Sequence, residues 1–348
     1  RVDANVRDNV VNALIWRLHG ETERRVDRRA RAANFLGQLN ATAAADNLAR
    51  IALSIDLPEE TNQSEAADLL PGTLQSEPND IPGAGDSLVR LEAAMALAEI
   101  MSTQYTELKE IADEYTERGY VVVAELYRVL ELWMKKDVAG LARRLRRPDA
   151  HPGIRAISSY ALGNIGTSRA NGLLIATFFE ANETGETKIP ANLRWALTEA
   201  LTLIDSAEVA RRIILPLLDE SRARDQGLID TPVWERRTEY YPYVVYLIGR
   251  IRSQEPIILE FLHDCISRPH ELPIMLGAVK ALGTLYAVEY QQQYIEFARG
   301  VFPQWLTLAN EQEEIWLRRV AIEALGHIGD QGCLQKLQTK REHWPPEL

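Results

Sequence analysis

Along this chain apolar residues recur at three- and four-residue spacings, the period of an amphipathic helix, and one short pattern returns many times. Its clearest copies are RAISSYALGNIG, ending at Gly166, and RRVAIEALGHIGD, ending at Asp330. Aligned on the Leu of the Ala-Leu-Gly step, the pattern recurs at Leu36, Leu97, Leu130, Leu162, Leu201, Ile248, Leu282 and Leu325. Neighbouring anchors lie between 32 residues (Leu130 to Leu162) and 61 residues (Leu36 to Leu97) apart. A unit of about 32–35 residues with insertions produces such spacings.

Helix geometry explains the recurring letters. Each residue advances about 100°, so positions −4 and +3 fall within about 60° of the anchor. They hold small or aliphatic residues, such as Ala93, Ala278 and Ala321 at −4 and Ile100, Ile165 and Ile328 at +3. Gly recurs at +1 (Gly37, Gly163, Gly249, Gly283, Gly326). A glycine inside a helix costs about 1 kcal/mol against alanine, so its repetition predicts close backbone packing there. Second amphipathic segments lie between the anchors, at 170–180, 207–220 and 256–267. A helical pair with an apolar face on each side buries both only by stacking on its neighbours. The pattern therefore predicts an all-α chain, an α-α superhelix of about eight helical pairs.

These motifs resemble HEAT-like repeats, in particular the bilin-lyase subtype, whose signature reads roughly V-R-x-x-A-A-x-A-L-G-x-I-G-D. The copies at 154–166 and 317–330 match well, those at 29–39, 90–100, 194–204 and 276–285 moderately, and those at 123–133 and 241–251 are degenerate. The resemblance covers 27–341. It leaves 1–26 as an N-terminal helix that caps the first repeat or joins a further domain, and 342–348 as a tail. Position −7 is Arg at Arg29, Arg90, Arg155, Arg194 and Arg318, about 20° from the anchor on the packed face. The resemblance implies that these arginines form a structural ladder with acids of the interrepeat turns, for which Asp86 and Asp149 are placed. It also implies an interaction scaffold or sensor within a larger signalling or defence polypeptide. Its enzyme alternative is a bilin lyase that holds a tetrapyrrole, and a second is a HEAT-like DNA glycosylase.

Charge narrows these readings. The formal net charge is −11, which argues against a nucleic-acid partner and against the glycosylase, because phosphate binding needs a broad basic face. Eight acids and no base fall within 56–88, so the remainder is near balance. The insertion 57–87, with its prolines and glycines, reads as a loop: either solvated, or an acidic arm covering a basic surface until a partner displaces it. A second insertion, 219–235, leads into Trp234, Tyr240, Tyr241, Tyr243 and Tyr246, which serve either as core or as a contact surface. No apolar run approaches the roughly 18 residues that cross a bilayer, so no membrane partner is expected. The chain opens on Arg1 without a signal peptide and reads as a cytoplasmic piece of a longer polypeptide. Sequons at Asn40, Asn62 and Asn182 carry no weight without such a signal.

Catalytic signatures are missing from the sequence. It has no Walker loop, dinucleotide fingerprint, nucleophile elbow, HExxH or CxxC. The six histidines show no metal spacing, and Cys265 and Cys333 sit in apolar helix patterns as buried thiols. A non-catalytic chain without cofactor or metal is the expectation. Positions −2 and +2 fall near 160–200°, opposite the packed face. They form the row Asn34/Gln38, Met95/Glu99, Arg128/Leu132, Tyr160/Asn164, Glu199/Leu203, Tyr246/Arg250, Lys280/Thr284 and Glu323/His327. The resemblance puts this row on the concave side. Arg128, Tyr160, Asn164, Tyr246, Arg250 and Lys280 are the candidate contacts for a protein or peptide. The run ARRLRRPDAHPGIR offers Arg143, Arg144, Arg146 and Arg147 as an anion site, or as cations that complement the end of a helix.

Overall fold

The computed structural model describes residues 4–18, 26–53, 84–103, 107–180, 189–253, 255–267 and 272–288, with three isolated positions beyond them. Those residues are helical, with turns and no strand among them. The chain divides into two compact units, Arg1–Glu180 with Ile189–Leu203, and Ala181–Lys188 with Ile204–Leu348.

Unit 1 contains α1 (Ala4–Leu18), α2 (Val26–Gln38), α3 (Ala45–Leu53), α4 (Ala84–Ser102), α5 (Leu108–Glu117), α6 (Val121–Met134), α7 (Val138–Arg146), α8 (Pro152–Ile165), α9 (Ser168–Phe178) and α10 (Ala191–Leu201). The end of the 57–87 segment is the first turn of α4, and 57–83 lies outside the described residues. Helix ends follow local chemistry. Asp137 and Thr167 accept the Gly140 and Ala170 amides as N-caps of α7 and α9. Pro152 opens α8 where its missing N–H is no loss, and Gly166 (φ 64°) closes it in the left-handed region. Lys136 ends α6 at φ 53°, with the Asp137 amide reaching back to the Leu132 carbonyl and the Lys136 amide to Trp133.

Anchor leucines Leu36, Leu97, Leu130, Leu162 and Leu201 are fully buried. The repeated glycine has a clear physical role. A Cβ on Gly37 of α2 would stand 2.8 Å from the Ala96 Cα of α4, and one on Gly163 of α8 would collide with the Ala200 carbonyl of α10. Ala96 and Ala200 each sit one residue before an anchor Leu, so the +1 glycine of one anchor helix lies against the −1 alanine of the next. Packing also reaches further along the chain. Helix α4 runs along α10 and touches α8, while meeting α6 only slightly.

Unit 2 contains α11 (Ser206–Val209), a π turn (Ala210–Ile214), α12 (Leu215–Leu218), α13 (Glu220–Asp225), α14 (Pro232–Glu235), a short 3-10 turn (Arg237–Tyr240), α15 (Tyr241–Ile251), α16 (Pro256–Ser267) and α17 (Leu272–Val288). The 219–235 segment, expected to be an insertion, carries two short helices; Asp219 caps the first through the Ser221 and Arg222 amides. The π turn has a local cause. Pro216 has no N–H and crowds the preceding turn, and the Leu215 amide bonds back to Ala210 O. The Gln226 side chain then supplies a donor to the Arg211 carbonyl at 2.7 Å. Gly249 of α15 repeats the glycine contact, its Cβ position 3.2 Å from the Ala281 Cα of α17. Tyr240 and Tyr243 are buried, Trp234 stacks beneath the Arg237 guanidinium at 4.4 Å, and Tyr241 meets the Phe261 edge at 4.9 Å. Tyr240 and Tyr243 are thus core, while Trp234, Tyr241 and Tyr246 are half-buried. Cys265 is buried, and burial pushes its thiol up to about 12, so it stays protonated and inert at neutral pH.

Candidate functional site

A cleft of about 450 Å³ opens on unit 1, lined by residues of α2, α4, α6 and α8. Trp133, Met134, Met95 and Ile165 supply its apolar and polarisable surface. Asn34, Glu99, Lys136 and Asn164 are exposed at it and make it polar and of both charges. The volume lies within the usual range of about 300–1,000 Å³ for small-ligand sites. Two amides are fixed in place. Trp133 Nε1 donates to Asn164 Oδ1 at 3.0 Å, which ties α6 to α8 and leaves the Asn164 amide N–H groups as donors. Asn34 donates to Glu92 at 3.1 Å and accepts from Gln38 at 2.7 Å. Methionine with tryptophan makes an adaptable apolar surface. No serine, cysteine or histidine belongs to the lining.

Four members of the −2/+2 row meet here: Asn34, Met95, Glu99 and Asn164. Other members are elsewhere. Tyr160 is fully buried, its hydroxyl donating to the Ser87 carbonyl at 3.2 Å, and burial raises its phenol well above the ordinary 10. Glu199 is fully buried as well. Neither is a surface contact, because α4 covers the faces of α8 and α10 that the helical period left open. Arg128 bridges α6 to α5, donating to Thr116 Oγ1 at 3.1 Å with Asp113 at 3.6 Å and Glu125 at 3.8 Å. Arg250 and Lys280 are exposed and Tyr246 half-buried, all in unit 2. Glu323, His327 and Arg318 lie outside the described residues, as do Cys333 and 342–348. Periodicity missed Trp133, Met134 and Lys136. Trp133 occupies a +3 position counted as packed, and Lys136 follows the end of its helix.

The ladder arginines are placed inward in part: Arg29 and Arg194 are buried, and Arg90 and Arg155 half-buried. The pairing expected between Arg155 and Asp149 does not form. Arg155 Nε instead donates to the Leu145 carbonyl at 2.8 Å, satisfying an orphan acceptor at the end of α7. Asp149 takes two bonds from Arg147, at 3.0 and 3.1 Å, which hold its carboxyl below the ordinary range. The side chain of Asp86 is outside the described set. In the basic run, Arg144 pairs with Glu125 at 2.8 Å and Arg147 with Asp149, while Arg143 and Arg146 are exposed. Three of the four lie in the last turn of α7, where cations complement the helix dipole.

No protein-family model matches this chain, and no curated protein matches it in sequence. Among the described residues, no group of three or more His, Cys, Asp or Glu stands together as a metal would require. No helix among them is long and apolar enough to cross a membrane.

His151 gives a pH test. Its Nδ1 accepts the Gly153 amide at 3.2 Å as the N-cap of α8, and burial with the nearby Arg90 charge holds its pKa below the ordinary 6.5. Near 6.5 and just below, the unfolded chain therefore binds more protons than the native one. Stability is full above 6.5 and falls as pH drops from there through the lowered native pKa. His151→Asn keeps a cap acceptor but does not titrate. Its denaturation midpoint should vary less between pH 7 and 5 than that of the wild type; equal slopes would remove His151 from the account.

Proposed function

We propose that this chain is a non-catalytic HEAT-like helical-repeat module, an α-solenoid, that binds a protein or peptide partner in the cleft of unit 1. It works as a scaffold or sensor within a larger signalling or defence polypeptide. The observation that carries the reading is the convergence of Asn34, Met95, Glu99 and Asn164, from three anchor helices, on one cleft. Equivalent register positions reach one surface when helices stack side by side, and the +1 glycine to −1 alanine contact supports that stacking. The lining favours a peptide. Trp133 with Met95 and Met134 accepts an apolar side chain, while Glu99, Lys136 and the Asn164 amide offer both charges and donors to a polypeptide backbone.

A peptide library selected against the whole chain tests the reading. Binders should lose at least about tenfold in affinity, roughly 1.4 kcal/mol, for Met95→Arg, which fills the cleft, and for Glu99→Arg. They should keep full affinity for Arg143→Glu, away from it. Selected peptides that ignore both cleft variants would dismiss the site.

A further inference from the structure

The register that seats one anchor helix on the next leaves one position open. At −1, immediately before the anchor, Ala96, Val129, Ala161, Ala200, Leu247 and Ala281 are all buried. Three of these lie beneath the glycine of the preceding anchor helix: Gly37 on Ala96, Gly163 on Ala200 and Gly249 on Ala281. On α2 the same position is Phe35, and it is 50% exposed. Half of that ring stands in water, where its equivalents in the later anchors are buried. The face is also charged. Arg31 and Arg28 precede Phe35 by one and two helical turns and are exposed. The one acid of α2, Asp27, lies in its first turn. Helix α1, which packs on α2, carries exposed Val6 (51%) and Val10 (45%) one turn apart, with Arg17 exposed on the same side in its last turn.

We propose that this face of α1 and α2 docks an amphipathic helix of a partner protein, apolar toward Phe35 and acidic along its edges. The form of the partner comes from the chain itself, because at Ala96, Ala200 and Ala281 the equivalent position is covered by the preceding anchor helix. Its charge comes from Arg17 and Arg31, which an acidic edge complements. A second copy of the chain is the poorer occupant. A twofold interface sets the same patch against itself, and these arginines would then face one another. Neither Phe35 nor Arg31 lines the cleft, although Asn34 between them does.

The test is a synthetic stapled helix about four turns long, with a leucine face and glutamates along both edges. It is titrated by fluorescence anisotropy against the whole chain, beside a counterpart with lysines in place of the glutamates. The acidic helix binds saturably and more weakly as salt rises, and the basic one does not bind. Phe35→Glu and Arg31→Glu each weaken binding at least about tenfold, with thermal melts near wild type because both side chains are exposed. Should Phe35→Glu disturb the melt, Arg31→Glu decides. Absence of saturable binding, equal binding of the basic helix, or binding unchanged by both variants would overturn the proposal. So would a concentration-dependent dimer that Phe35→Glu abolishes, since the occupant would then be a second copy.

Discussion

Gly163→Ala lowers the stability of the chain by about 2–3 kcal/mol, although alanine is the better helix former by about 1 kcal/mol. The added Cβ has no free space, because it meets the Ala200 carbonyl oxygen of α10, a backbone atom that moves only with its whole helix. The control lies on α9. Gly172 is also inside a helix, but nothing lies within 4 Å of its Cβ position. Gly172→Ala therefore raises stability by about 0.5–1 kcal/mol. Denaturant midpoints of the two variants should move in opposite directions. If Gly163→Ala is neutral or stabilising, α8 and α10 do not approach as described, and the reason for the repeated glycine is lost.

The second large effect is at Tyr160. Tyr160→Ala removes a fully buried ring and leaves a cavity among α4, α8 and α10, at a cost of about 3–5 kcal/mol. Tyr160→Phe removes only the hydroxyl bonded to the Ser87 carbonyl and costs about 1 kcal/mol. The gradation is informative, because a surface tyrosine of a binding face would lose almost no stability in either variant. Thermal melts of both proteins check it. A Tyr160→Ala chain that melts like wild type would return Tyr160 to the surface.

These two residues also mark how far the sequence was legible. Gly163 was readable because a helix-breaking residue that recurs at one register position signals a local steric demand, and the structure supplies its object in Ala200. Part of the cleft was readable from register: Asn34, Met95, Glu99 and Asn164 share the −2 and +2 positions. Tyr160 and Glu199 share those positions too, yet α4 covers them. A helical period shows which residues share a face; it does not show that α4, whose Ser87 is 73 residues before Tyr160, will close that face. Arg155 illustrates the same limit for polar groups. Its type implied an acid partner, whereas the nearest unmet need was the Leu145 carbonyl at the end of α7. Lys136 lay beyond periodicity altogether, in the left-handed turn that ends α6.

The most direct test of a peptide-binding cleft uses the methionines. The chain has four. Met95 and Met134 line the cleft, Met101 is buried at the end of α4, and Met275 belongs to α17 of unit 2. With the methyl groups labelled with carbon-13 and assigned by single Met→Leu variants, a selected peptide is titrated into the chain. The Met95 and Met134 signals should shift and saturate together while Met275 stays in place. Saturable binding that leaves Met95 and Met134 unmoved would contradict it.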